Sequence, residues 1–264
     1  MLKTLLYINE DLASSIALRY TAYLNKFIPL SLHVTHVEEP EDDEQVGTGW
    51  VRRTWEDGVT SSGKQLIDRM LRTEKIDCLL AGRPKVFVGY RDTEIIYELR
   101  SGNYDLFIEG YLNSPDQDRF YDLIRSPLYT NMPCPVLVTK NLSISTRCAL
   151  LCADSVDAEQ LVRGSMRILG ESRFTFDLVY FKFKDSEQLQ TLDREEGGTN
   201  LQNTLSLMEE EGHAPEQVSV LLGAPEQVCD HLKGYALVSS TMPTRKSMRM
   251  SVLANSLASV LLVR

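Results

Sequence analysis

The chain has 264 residues, of which 43% are hydrophobic and 25% charged, and its net charge is −9. This composition is typical of a globular protein, and the negative charge gives no electrostatic support for binding nucleic acid. No apolar run approaches the ~18 residues that a membrane-spanning helix needs. The five cysteines do not have the spacing of a zinc site. They indicate buried thiols in a reducing cytoplasm.

The first 143 residues alternate short apolar strands with helices of amphipathic period. The elements predicted in chain order are strands at 5–8, 30–37, 104–108 and 136–138, and helices at 12–24, 62–73, 92–100 and 120–129. Another strand is predicted between the second and third helices. The sequence leaves two candidates for it, at 78–81 and at 86–88.

The stretch DGVTSSGKQL, residues 57–66, nearly matches the phosphate-binding pattern G-x-x-x-x-G-K-[ST]. Gln65 stands where that loop needs a hydroxyl to ligate Mg²⁺, and no buried strand precedes it. We therefore predict a polar loop in which Ser61 or Ser62 caps the helix at 62–73. Trp50 and Trp55 precede this stretch. They suit either the mouth of a pocket or a packing or dimer contact.

The second half repeats the plan of the first. Its predicted strands are at 149–152, 176–181, 218–222, 235–238 and 260–263, and its helices at 158–169, 201–211, 225–232 and 247–255. The alternation predicts an α/β fold of two doubly wound, five-stranded parallel-sheet domains, 1–143 and 144–264. Ligands of such sheets bind beyond the carboxyl ends of the strands, here the loops after strands one and four.

The first half has the segments LHVTHV at 32–37, YDLFIEG at 104–110 and PCPVLV at 133–138. These segments resemble those of the universal stress protein family, and the second half has weaker matches at 235–240 and 251–263. The resemblance implies tandem Rossmann-like, adenine-nucleotide α-hydrolase-like domains with strand order 3-2-1-4-5. These would pair through the last strand or its surroundings as an intrachain pseudo-dimer. It also implies an ATP site, with an acidic residue after strand one and G-x-x-G-x9-G-S/T after strand four, because glycines let backbone N–H groups approach phosphates.

The first half departs from that ATP-binding pattern. Asn9 stands at the acidic position after strand one. Gly110 matches the first glycine, but Asn113 occupies the second position and Asp122 or Leu123 the third. The same stretch contains three carboxylates that would repel a triphosphate, Asp116, Asp118 and Asp122.

The second half matches the strand-one position better, with Asp154 and Ser155. Its glycine loop is also broken. The three glycine positions hold Ser239 or Ser240, then Met242 or Pro243, then Met250 before Ser251. Hydroxyl and guanidinium groups can hold an anion without glycines, although a basic run is also typical of a solvated helix start. The groups that could do so are Ser239, Ser240, Thr241, Arg245, Lys246 and Arg249.

The sequence therefore predicts a cytoplasmic, non-catalytic universal stress protein that acts as a binding or regulatory module. Its ATP-binding loops are degenerate, and no cofactor, metal or catalytic set is expected. The alternative is a sensor that binds one ATP in the second domain, near Asp154 and one of the basic residues Arg245, Lys246 or Arg249, with at most slow hydrolysis. A third hypothesis is an enzyme of the wider adenine-nucleotide α/β group, which activates its substrate with ATP. Such enzymes typically have an S-G-G-x-D-S-type phosphate loop after strand one, and neither half has one. Protein partners are not specified, and a homodimer is possible.

Overall fold

The computed structural model describes residues 1–39, 50–74, 80–113, 117–143 and 145–264. Within these ranges the strands are β1 (Leu2–Tyr7), β2 (Leu30–Glu38), β3 (Lys85–Val88), β4 (Leu106–Gly110), β5 (Val136–Thr139), β6 (Arg147–Cys152), β7 (Thr175–Phe183), β8 (Gln190–Leu192), β9 (Gln217–Gly223), β10 (Leu237–Thr241) and β11 (Ser259–Val263). The helices are α1 (Leu12–Leu24), α2 (Trp50–Thr73), α3 (Arg91–Gly102), α4 (Gln117–Arg125), α5 (Pro127–Thr130), α6 (Ala158–Leu169), α7 (Gly198–Glu210), α8 (Pro225–His231) and α9 (Met248–Asn255). The predicted α/β class is confirmed.

The strands form one sheet in the order β3-β2-β1-β4-β5-β11-β10-β6-β7-β9-β8. Neighbouring strands are parallel except for β5 with β11 and β8 with β9. Each half therefore has the order 3-2-1-4-5, counted from its own first strand and leaving out β8, as the resemblance implies. The edge strand β8 was not predicted, because its three residues are too short to give a hydrophobic period.

The third strand and the helix predicted at 120–129 differ from the structure in detail. The third strand is β3, the candidate at 86–88. The other candidate falls partly on residues outside the described ranges, and its Leu80 forms an isolated bridge with Leu32. The helix predicted at 120–129 is divided into α4 and α5, because Pro127 cannot continue a helix but suits the first turn of a new one. Ser126 caps α5 by accepting from the Tyr129 N–H.

The stretch that resembles a phosphate-binding loop lies inside helix α2, which begins at Trp50. The predicted polar loop and its N-cap at Ser61 or Ser62 are therefore wrong, because residues 57–66 are helical throughout. Gly63 is explained by packing, since an added Cβ would lie 2.6 Å from Cγ1 of Val86 in β3. None of the described helices combines the length and hydrophobicity needed to cross a bilayer.

The two halves of the sheet meet where β5 pairs antiparallel with β11, with Leu137 level with Leu261. Within each half the strands are parallel to one another, apart from the short strand β8. The carboxyl ends of the strands in the two halves therefore lie at opposite edges of the sheet. The domain boundary predicted near 141–143 lies in the connection between β5 and β6, and the division into two domains stays a prediction.

Helix α1 also joins the halves, through aromatic side chains along one of its faces. The Tyr20 hydroxyl donates to the Ala236 carbonyl at 3.0 Å, and the Tyr23 hydroxyl donates to the Ser145 carbonyl at 3.0 Å. Just beyond the helix, the ring of Phe27 stacks on a phenylalanine of the second half, Phe174, with centroids 4.9 Å apart. These contacts fix the orientation of α1, and with it the loop that follows β1.

A buried lysine closes the junction at the end of β5. The Nζ of Lys140 donates to carbonyls at the C-terminal end of α9, those of Leu253 at 2.5 Å, Ala254 at 2.8 Å and Ser256 at 3.3 Å. Such carbonyls lack partners within the helix and carry the negative end of its dipole, so they favour a donor there. The Phe120 ring lies 4.5 Å from the same nitrogen. Burial in these surroundings lowers the pKa of Lys140 to about 7.

We predict that Lys140 makes the free energy of unfolding depend on pH. Its pKa falls from the ordinary 10.5 to about 7 on folding, so between these values the unfolded chain binds a proton that the folded protein lacks. The contribution of Lys140 to stability should therefore rise with pH above neutrality, by at most about 1.4 kcal/mol per pH unit, and be flat below it. Chemical denaturation of the wild type and of Lys140→Met, from about pH 6 to about pH 9, measures the difference. Parallel stability profiles for the two proteins would contradict this assignment.

Candidate functional site

The two places where strand order reverses lie between β1 and β4 and between β6 and β10, which are parallel neighbours. At each place the connections leave in opposite directions and open a crevice beyond the carboxyl ends. We call these the first edge and the second edge. They are the positions at which the sequence predicts ligand-binding residues.

At the first edge, the polar residues after β1 bond to one another and to the start of α1. The Asn9 side chain accepts from the Glu10 N–H at 2.8 Å, and Ser14 Oγ accepts from the Asn9 N–H at 2.8 Å. Asp11 caps α1 by accepting from the Ser14 N–H at 2.7 Å. Asn9 is exposed, but its side-chain oxygen Oδ1 already accepts a hydrogen bond within the turn.

Gly110, the residue that matches the first glycine of the family pattern, is in close contact with the protein itself. An added Cβ would lie 2.0 Å from the Ala13 carbonyl oxygen and 2.3 Å from its carbonyl carbon. The first turn of α1 therefore occupies the space beside β4 that a side chain would need. The glycine at this position is accounted for by helix packing, without any phosphate.

We predict that Gly110→Ala destabilises the protein by about 3 kcal/mol, because the new methyl group collides with backbone atoms that cannot move independently. Gly234→Ala is a matched control, since no atom lies within 4 Å of its added Cβ. That variant should change the free energy of unfolding by less than about 0.5 kcal/mol. Both values come from urea titration without nucleotide. Equal stability of the two variants would refute the packing explanation.

The loop after β4 contacts the other half of the protein. The Asn113 side chain donates to the Ser256 carbonyl at the end of α9, with an N–O distance of 3.4 Å. Asp118, in the first turn of α4, forms an ion pair with Lys246 of the second half. Asp116 lies outside the described residues. Asn113 of the first half and Lys246 of the second, both predicted near phosphates, thus form contacts between the halves.

At the second edge, Asp154 and Ser155 follow β6 and are exposed. The Asp154 carboxylate accepts a hydrogen bond from the Tyr180 hydroxyl of β7. Burial, together with this hydrogen bond, raises the pKa of Tyr180. Asn200 of α7 holds the same loop by donating to the carbonyls of Ala153 at 2.6 Å and Val156 at 2.9 Å. Asp154 is thus an oriented anion on a fixed loop.

Arg249 reaches the same edge from the first turn of α9. Its Nη1 donates to Thr241 Oγ1 at 2.6 Å and lies 3.3 Å from the Thr241 carbonyl and 3.5 Å from Ser240 Oγ. Ser239 of β10 pairs with Leu150 of β6. In the same register, Thr241 lies beside Cys152, the last residue of β6. The guanidinium is half-buried, and burial lowers its pKa. The structure therefore brings Asp154 and Ser155 to the same edge as Ser240 and Arg249.

The other predicted residues of the second half lie elsewhere. Ser239 is fully buried, and its Oγ is 2.6 Å from Ser165 Oγ of α6, so it faces the core. Arg245 is exposed on the loop before α9, and Ser251 is half-buried within that helix. Lys246 turns toward α4, as described above. Of the predicted basic set, Arg249 is the residue fixed at the second edge.

Sequence reasoning missed Tyr180 and Asn200, because a tyrosine within a strand and an asparagine in a distant helix give no local signal. No group of three or more metal-ligating side chains occurs in the described residues. Cys152 ends β6, but burial raises its pKa to about 11, so it remains a thiol and not a nucleophile at neutral pH. Among the described residues, the second edge thus brings together the Asp154 carboxylate, the Arg249 guanidinium and the hydroxyl groups of Ser155 and Ser240.

Comparison of the whole structure with solved structures identifies the fold. A universal stress protein from Archaeoglobus fulgidus DSM 4304 superposes with a TM-score of 0.63 at 13% identity, over 99% of this chain and 95% of that chain. The chain has the universal stress protein fold. A functionally unknown protein from Pseudomonas aeruginosa PAO1 superposes with a TM-score of 0.57 at 15% identity, over 98% and 91% of the two chains. No protein-family model and no curated protein matches the sequence.

The universal stress protein fold extends over both halves of the chain. Because the Archaeoglobus chain is covered almost completely, it has a similar length, and the superposition includes both sets of strands. The fold prediction made from the LHVTHV and PCPVLV segments is therefore confirmed. At 13–15% identity the similarity concerns the fold and transfers no ligand.

Proposed function

We propose that the chain is a tandem universal stress protein that acts in the cytoplasm as a non-catalytic binding or regulatory module, without an ATP site of the family type. Residues 1–143 and 144–264 are its two domains, paired as an intrachain pseudo-dimer. The whole-chain fold similarity and the family-like segments at 32–37, 104–110 and 133–138 support this assignment.

The observation that carries the proposal is that groups expected to cradle phosphates already bind protein atoms at both edges. Gly110 faces the Ala13 backbone, and Asn113 bonds to Ser256. At the second edge, Arg249 bonds to the Thr241 hydroxyl. A triphosphate would have to displace these contacts, and neither glycine loop is intact to provide free N–H groups.

We expect freshly purified, undialysed protein to release no nucleotide when it is denatured and its small molecules are identified by mass spectrometry. Added Mg-ATP should leave the melting temperature unchanged, because a ligand raises it only when it binds the folded state. Near-stoichiometric ATP, ADP or AMP, measured against protein concentration, would contradict the proposal.

A nucleotide sensor remains the alternative, and the shared position of Asp154 and Arg249 at the second edge favours it. In that case Asp154→Ala and Arg249→Ala should each weaken ATP binding, by about tenfold for the loss of one charged contact. Asn9→Ala, at the first edge, is the control and should leave the affinity unchanged. Isothermal titration distinguishes the cases, and an unchanged affinity in both second-edge variants would dispose of this alternative.

A further inference from the structure

The described side chains in the first half of helix α2 are not part of the hydrophobic core. Among the side chains that the structure describes, none in this helix is buried before Gly63. Trp50, at its start, is 77% exposed. Trp55 and Val59 are half-buried, but neither belongs to the set of described residues that pack against the core. Residues 50–62 therefore form a helical arm about 20 Å long, at 1.5 Å per residue. We call these residues the α2 arm.

The sequence of the α2 arm is a poor helix former by itself. Gly58 lies in the middle of the arm with no atom within 4 Å of an added Cβ, so no packing accounts for it, unlike Gly63. A glycine in a helix interior costs about 1 kcal/mol relative to alanine. Arg52 and Arg53 oppose the helix dipole near the N-terminus, and no acidic residue offsets them in the first turn. Helices of this length are stabilised mainly by packing, so the arm requires a partner surface.

The charges on the exposed face of the arm are complementary to themselves. Trp50, Arg53, Asp57 and Thr60 follow one another at helical spacing and share this face. Arg52 pairs with Glu56 within the helix, at 2.8 Å. Neither Arg53 nor Asp57 forms an ion pair within the described part of the chain. Counting partners among the described residues alone, the face therefore presents one unpaired cation, one unpaired anion and an exposed indole.

We propose that the α2 arm binds the α2 arm of a second copy of this chain as an antiparallel helix pair. A two-fold axis near residue 55 places Arg53 of each copy opposite Asp57 of the other, because 53 and 57 are equidistant from it. The same operation places Trp50 over Thr60 of the other copy, where its indole leaves water. A two-fold axis makes both ion pairs at once, as in an isologous dimer. A contact of this length lies at the small end of specific interfaces, so the dimer should dissociate on dilution.

Charge reversal tests this pairing. In a dimer of Arg53→Glu both members of each 53–57 pair are acidic, and in a dimer of Asp57→Arg both members are basic. Each variant alone should dimerise at least about tenfold more weakly than the wild type, because like charges then face each other. An equimolar mixture of the two should dimerise again, since each acidic arm then meets a basic one. Sedimentation velocity over a concentration series measures all of these states.

Two controls keep the test independent of folding. Lys64→Glu changes a charge on the same helix outside the α2 arm and should leave dimerisation unchanged. Trp50→Ala should weaken the dimer without altering the circular dichroism spectrum, because the side chain is exposed in the monomer. A wild type that stays monomeric at all concentrations would overturn the proposal, and the arm would then be covered by another part of the chain or another protein. Failure of the mixed variants to associate would also overturn it.

Discussion

The antiparallel pairing of β5 with β11 is the constraint on which the rest of the architecture depends. All residues of both strands are buried, so either half alone would expose an apolar strand edge. Such an edge invites pairing with other chains. Joining the two edges within one chain removes this hazard and produces a single sheet. The connection that follows β5 must then turn inside the junction, which brings Lys140 into the interior.

Burying an amine is costly unless its N–H groups find acceptors. The end of α9 supplies three carbonyls at that point, and two of them, those of Leu253 and Ala254, lie in its last turn, where carbonyls lack partners within the helix. Two deficits that arise separately, a buried donor in one half and a helix end in the other, thus satisfy each other. This explains why α9 is fixed at its C-terminal end by the first half, while Arg249 at its other end reaches the second edge.

The junction also changes what the loops after the fourth strands do. In the first half this loop bonds to the end of α9 through Asn113, and the adjacent α4 pairs with Lys246 through Asp118. The described residues on both sides of this loop, Asn113 and Asp118, therefore contribute to the contact between the halves.

Much of the fold could be predicted from the sequence because its central strands are continuous apolar runs. The errors lie where local signals are weak or conflicting. The short strands β3 and β8 carry few buried residues, and the sequence 50–61 has poor helix propensity, yet it is helical. At the second edge, Asp154 could be predicted from its place after β6. Its partner Tyr180 could not, because that contact depends on the register of β6 with β7.

Three glycines show why a motif of this kind needs a structure before it indicates a ligand. Glycine leaves space beside the backbone, and the question is what fills that space. At Gly110 it is the backbone of α1, and at Gly63 it is the Val86 side chain, so both residues are explained within the monomer. At Gly58 the space is open. All three belong to sequences that resemble phosphate loops, and two of them, Gly63 and Gly110, are explained by packing. The remaining glycine, Gly58, lies on the α2 arm, where neither Trp55 nor Val59 packs on the core, so a protein surface explains it better than a nucleotide does.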